Sequence, residues 1–221
     1  MASTNVTGQA NEIATSWTLS TAVEKMTEAS EVIMLKIGDY ETSIHKSLLI
    51  HFSEYYRLTL CGPFLEATTQ QVDPIDDLFD KASLQTFTGW IYTGETNLNA
   101  GIFSHLTAAF DLYLFADRYA IPALKKVLCR LLVITYDPKN ISCQHYSRLP
   151  EAAVLKALDN LPESDDLCAA IVDICARLQI SNGEASLTGY PEAFKRLVVK
   201  RKVELRVEAT RLHGWRPDWD Y

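Results

Sequence analysis

The sequence has no apolar run near the roughly 18 to 20 residues that a membrane span needs, and its polar N-terminus lacks the basic and apolar regions of a secretory signal. The expectation is a soluble protein of the cytoplasm and/or nucleus, with no membrane partner. The five cysteines, Cys61, Cys129, Cys143, Cys168 and Cys175, are odd in number, scattered and never spaced Cys-x-x-Cys. A disulfide framework or structural zinc site needs closer, paired ligands, so reduced and mostly buried thiols are expected. Absent too are Gly-x-Ser-x-Gly, Gly-x-x-x-x-Gly-Lys and Gly-x-Gly-x-x-Gly, which excludes the commonest nucleophile elbow and phosphate-cradling loops. Cys143-Gln144-His145 comes nearest to a metal pair, and its spacing suits no common tetrahedral site by itself. Asp76-Asp77 and Asp165-Asp166 each stand just before a helical pattern, where the positive end of a helix dipole accounts for them. Nothing here points to catalysis, a cofactor or a metal.

What is present is ordinary globular usage, 48% hydrophobic and 22% charged over 221 residues. That length suits one domain with a full core, or one domain plus a helical extension. The net charge of -7 argues against a whole-protein nucleic-acid binder, yet the charge is uneven. Residues 195–216 hold eight cations against Glu204 and Glu208, a local +6, so the remainder carries -13. Such asymmetry marks a tail with its own partner.

Along the chain, residues 1–29 read as a mobile polar leader with a short helix from Thr18 to Ala29, whose Leu19, Val23 and Met26 form a thin apolar stripe. Twelve residues do not hold a helix alone in water, so this one must lie on its own domain or on a partner subunit. Residues 32–37 are β-branched and aliphatic, Gly38-Asp39 is a hairpin signal, and Tyr40–Ile44 alternates. Ile33, Leu35 and Ile37 share one face. A third short strand is expected over Gln70–Ile75, limited by Pro74. Between these, Leu48, Leu49 and Phe52 close one helix, and Tyr55, Tyr56 and Leu60 line the next until Gly62-Pro63. Leu84, Phe87, Trp90 and Ile91 make an amphipathic helix ending at Gly94, and two more follow, the second opened by Pro122 and ended by Asp137-Pro138. The tyrosines Tyr55, Tyr56, Tyr92, Tyr113 and Tyr119 sit at inward spacings. Residues 30–136 thus predict an α+β domain, a three-stranded sheet covered by helical hairpins. Residues 139–180 predict a helical extension, Pro150–Leu161 and Ser164–Ile180, with Ser164 as N-cap and Asn182-Gly183 as stop. Residues 181–221 predict a basic helix and tail.

The order of five pieces carries more than any one: Glu31-Val32-Ile33-Met34-Leu35, His45-Lys46-Ser47-Leu48-Leu49, Ser53-Glu54-Tyr55-Tyr56-Arg57, Phe64-Leu65-Glu66 and Tyr92-Thr93-Gly94. Together they resemble the BTB/POZ domain, in particular the short BTB-only proteins of filamentous fungi. The resemblance implies a BTB fold, an isologous homodimer, and a charged pair near the dimer pocket at Glu31 and Lys46. Both depart from the commoner Asp and Arg of the family, and Lys lacks the bidentate fork of Arg. An exposed ion pair worth roughly 0 to 1 kcal/mol is the plainer alternative. His45 reads as a hydrogen-bonding residue at a helix start rather than a pH switch.

Two functions follow. The resemblance implies a dimerising interaction module that serves as adaptor for a cullin-type ubiquitin ligase. Its apolar-x-acid contact has one candidate, Ala109-Phe110-Asp111, and an unknown protein would be recruited through the extension or tail. The alternative is a nuclear BTB protein of transcriptional or chromatin regulation that uses Lys200-Arg201-Lys202 for import or nucleic-acid contact. Val198, Val199, Val203, Leu205 and Val207 interleave those charges, as in a half-buried helix with a solvated basic face.

Overall fold

The structure is a computed structural model that describes residues 13–28, 31–76, 78–98, 103–136, 149–181 and 187–213. Asp77, the Asp137-Pro138 and Asn182-Gly183 stops, Cys143-Gln144-His145 and the final segment 214–221 lie outside the described residues, as does 1–12. Helices dominate, beside one two-stranded antiparallel sheet, an arrangement of α+β type. No described helix is long and apolar enough to cross a membrane. The chain divides into two units, one of residues up to Asn97 with 115–127, the other of 98–114 with residues from Leu128 onward.

In the first unit, β1 (Val32–Ile37) and β2 (Tyr40–His45) pair with Ile33 opposite Ile44 and Leu35 opposite Thr42. Gly38 turns the hairpin at φ +53, a region open to residues without a Cβ. Strand alternation buries Ile33, Leu35 and Ile37 and turns Val32, Met34 and Lys36 to solvent. The third strand expected over Gln70–Ile75 does not form. Its amide donors are spent elsewhere: Gln71 N–H goes to Thr69 Oγ1, Pro74 has none, and Asp76 N–H goes to Tyr119 Oη at 3.2 Å. Only Ile75 reaches the sheet, donating to Lys36 O at 2.7 Å.

Three helices follow the hairpin: α2 (Lys46–Phe52), α3 (Glu54–Cys61) and α4 (Leu65–Thr69). Ser53 separates the first two and serves both backbone segments it touches. Its hydroxyl accepts the Tyr56 N–H as the α3 N-cap and donates to Tyr119 O at 2.6 Å. Pro63 holds Gly62 extended, and α3 ends there. α5 (Lys81–Thr93) is capped by Asp80, which accepts from Ser83 N, and stops at Gly94 with φ +75. Phe52, Phe87 and Trp90 are fully buried, and Phe79, Phe87 and Phe115 form a chain of ring contacts with Tyr119 and Tyr56.

The N-terminal segment departs from the expected mobile leader once it enters the described region. Ala14 N–H donates to His51 O and Trp17 Nε1 to Ile91 O, at 3.0 and 3.1 Å. Both acceptors lie in the last turn of a helix, where carbonyls lack intrahelical donors. α1 (Leu19–Glu28) then packs on α2 and α5.

Helices α6 (Phe103–Arg118) and α7 (Pro122–Thr135) each contribute to both units. The second unit adds α8 (Glu151–Asn160), α9 (Asp166–Ser181) and α10 (Glu192–His213). Asp165, not the expected Ser164, caps α9. Its carboxylate accepts Leu167 N–H and the Tyr113 hydroxyl, each at 2.8 Å, and it is buried. Burial, and then the hydrogen bond to Asp165, push the Tyr113 hydroxyl far above its ordinary value.

Candidate interaction surface

Two of the three residues of the α1 stripe, Leu19 and Val23, are exposed, while Met26 is half-buried. α1 packs through Ala22, which is fully buried, while Leu19 and Val23 are 65% and 46% exposed. Val32 and Met34, on the outward face of β1, are also half exposed. The Ser47 hydroxyl donates to Lys25 O at 2.5 Å and fixes α1 against the start of α2. Four apolar side chains on the first two elements therefore stand in water, an arrangement suited to a partner surface.

The charged pair lies beside them. Lys46 Nζ meets Glu31 Oε2 at 3.1 Å, and Lys46 N–H donates to Glu31 O at 2.9 Å. The backbone bond sets the register, and the side-chain pair closes over it, Glu31 being the exposed partner. His45 and Tyr92 come together across 47 positions of sequence. Tyr92 Oη accepts the His45 N–H at 3.1 Å and lies 2.8 Å from His45 Nδ1. Tyr92 thus satisfies a donor at the N-terminus of α2 that the His45 side chain leaves uncapped.

The other motif residues divide between support and surface. Tyr56 is buried and stacks on Tyr119, whereas Tyr55 is 38% exposed, contrary to its expected inward place. A Cβ on Gly94 would lie 2.7 Å from Trp17 Cδ2, so both its positive φ and the indole require glycine. Phe64 and Leu65, at the start of α4, are 54% and 75% exposed, with Glu66 following and Leu58 of α3 also exposed. Glu54 and Arg57 pair through Arg57 Nε at 2.7 Å, and that hydrogen bond holds the Glu54 carboxyl below its usual range.

Ala109 and Phe110 are buried, and Asp111 is paired with Lys156 Nζ at 2.6 Å. The triplet chosen as a cullin contact offers its apolar member to the core instead of to solvent.

Lys200, Arg201 and Lys202 sit on α10 but do not act as one patch. Arg201 is held by Asp173 at 2.7 Å, Glu208 at 3.1 Å and Glu204 at 3.3 Å. These carboxylates, Asp173 first, raise its pKa. Burial opposes ionisation of Asp173, but the hydrogen bonds from Arg177 and Arg201 outweigh it and lower the carboxyl from its ordinary value. Phe194 and Val198 pack inward, but of the other interleaved residues Leu205 is half-buried and Val199, Val203 and Val207 are exposed, so only part of the expected apolar face is covered.

Sequence reasoning missed a trench of about 670 Å³ between α8, α9 and α10, with Ala169, Ala170 and Val172 opposite Phe194 and Leu197. The small residues of α9 were the only signal of a close groove. Among the described residues, no group of three His, Cys, Asp or Glu is placed to hold a metal. Burial raises the Cys175 thiol to about 12, so it stays protonated near neutrality. No family model matches this chain, and no curated protein matches it.

Proposed function

We propose that this chain is a BTB/POZ-type interaction module that self-associates through α1 and β1 and acts as an adaptor for a cullin-type ubiquitin ligase. The observation that carries the reading is the exposure of Leu19 and Val23 on α1 and of Val32 and Met34 on β1, the strand that follows Glu31 of the Glu31–Lys46 pair. The positions expected from the resemblance support it: the pair forms, and His45 meets Tyr92. A helix that buries only Ala22 leaves its larger side chains for a second copy, and an isologous contact would cover both sets at once.

The adaptor contact cannot use Phe110, which belongs to the core. Leu58, Phe64 and Leu65, with Glu66 beside them, are exposed apolar residues at α3 and α4 open to a scaffold. The test is a pull-down of tagged chain on the cullin scaffold with a Leu65→Glu variant. Leu65 is 75% exposed, so the variant keeps its fold. Retention of wild type and loss in the variant support the adaptor reading; no retention of wild type, or equal retention of both, overturns it.

The nuclear reading has one observation in its favour. Arg196, Lys200, Lys202, Arg206 and Arg211 make no ion pair among the described residues. Arg201 lies in its acidic clamp and contributes nothing to such a patch. Binding to nucleic acid through the remaining cations would fall steeply with salt.

A further inference from the structure

α10 presents two unlike faces. At about 3.6 residues per turn, Phe194, Val198, Arg201 and Leu205 form the side turned to α9, while Val199, Val203 and Val207 form a stripe on another side. Those three valines are 55%, 57% and 45% exposed. Arg196 and Arg206 share their side of the helix, and neither makes an ion pair among the described residues. The trench next to this helix has the opposite character. Its floor is apolar, and its charged lining residues are Asp159, Glu163, Asp173, Glu204, Lys200 and Arg201, four carboxylates against two cations. Asp173 and Glu204 are engaged by Arg201, whereas Asp159, Glu163 and Lys200 make no ion pair among the described residues, which leaves two free carboxylates against one free cation.

We propose that two copies of this chain join through α10, the valine stripe of each entering the trench of the other and Arg196 and Arg206 meeting Asp159 and Glu163. The stripe and the trench occupy neighbouring sides of one helix, so a two-fold axis between antiparallel α10 helices satisfies both contacts together. Each stripe is an apolar ridge with cations, and each trench an apolar groove with a carboxylate rim. The contact is separate from the α1 and β1 surface and does not rest on the adaptor reading.

The test uses two full-length variants, Arg196→Glu/Arg206→Glu and Asp159→Lys/Glu163→Lys, each on a Leu19→Asp/Val23→Asp background that removes the first surface. Light scattering and fluorescence titration read association. Alone, each variant sets like charges against one another in both contacts of a pair, and its self-association falls at least about tenfold below the background protein. Mixed, the two variants are complementary in both contacts, and the mixture regains the background affinity as a heterodimer. Unchanged association of either variant alone, failure of the mixture to recover, or a background protein that is monomeric at every concentration reached would each overturn the proposal.

Discussion

The first unit and the second solve the same problem, burying helices, by different means. In the first, distant segments are tied by specific polar links: Tyr92 to His45, Ser53 to Tyr119 and Trp17 to Ile91. Each pins a helix terminus or a loop that would otherwise hold an unsatisfied backbone group. In the second, Tyr113 is tied to Asp165 and Lys156 to Asp111 in the same way, but α9 and α10 meet through apolar side chains and the ions around Arg201. The first means fixes unusual residue types at fixed positions. The apolar contact of α9 with α10 fixes only a period, which many sequences share.

Breaking the aromatic core of the first unit has the largest expected effect. Phe87→Ala removes a fully buried ring and should cost about 3–5 kcal/mol in chemical denaturation. Gly94→Ala comes next, at about 1–3 kcal/mol, because a side chain is forced to positive φ against the Trp17 indole. If the indole is the larger part of that cost, Gly94→Ala should be milder in a Trp17→Ala background, and equal costs in both would assign the effect to the backbone alone. Tyr92→Phe removes the acceptor of the His45 N–H and should destabilise by about 1 kcal/mol, read as a lower denaturant midpoint.

The smallest effect belongs to the ions of the second unit. Arg201→Ala should cost about 1 kcal/mol, the clamp being partly open to water. Its pH dependence has a definite sign. Asp173 has a folded pKa depressed below 3.8, so its contribution is complete above that value and is lost as pH falls through the folded value. The stability gap between wild type and Asp173→Asn should therefore be constant from pH 7 down to about 5 and shrink below about 4. A gap that widened with acid would contradict the clamp.

The same contrast governs what could be read from the sequence. The hairpin was legible because alternation and Gly38 leave one register in which Ile33, Leu35 and Ile37 are buried. The roles of His45 as a hydrogen-bonding residue at a helix start and of Gly94 as a helix stop were legible from residue type, but their partners Tyr92 and Trp17 were not, since nothing in the order of residues joins positions so far apart. The third strand was not legible as absent, because strand propensity ignores where donors are spent: Gln71 and Asp76 donate to Thr69 and Tyr119, and only Ile75 donates to the sheet. Phe110 failed for the opposite reason. Its spacing is right for a helix, but period alone does not say which side of α6 is covered. Arg201 shows the same limit in charge: a run of three cations reads as a patch until the carboxylates of α9 and α10 close on one of them.

Self-association through α1 and β1 is the central claim, and its most direct test is light scattering on wild type beside Leu19→Asp/Val23→Asp. Wild type should show a mass above that of one chain, and the variant should lose a full twofold step while keeping its helical spectrum. A variant that retained the wild-type mass, or a wild type that stayed a single chain at all concentrations, would contradict it.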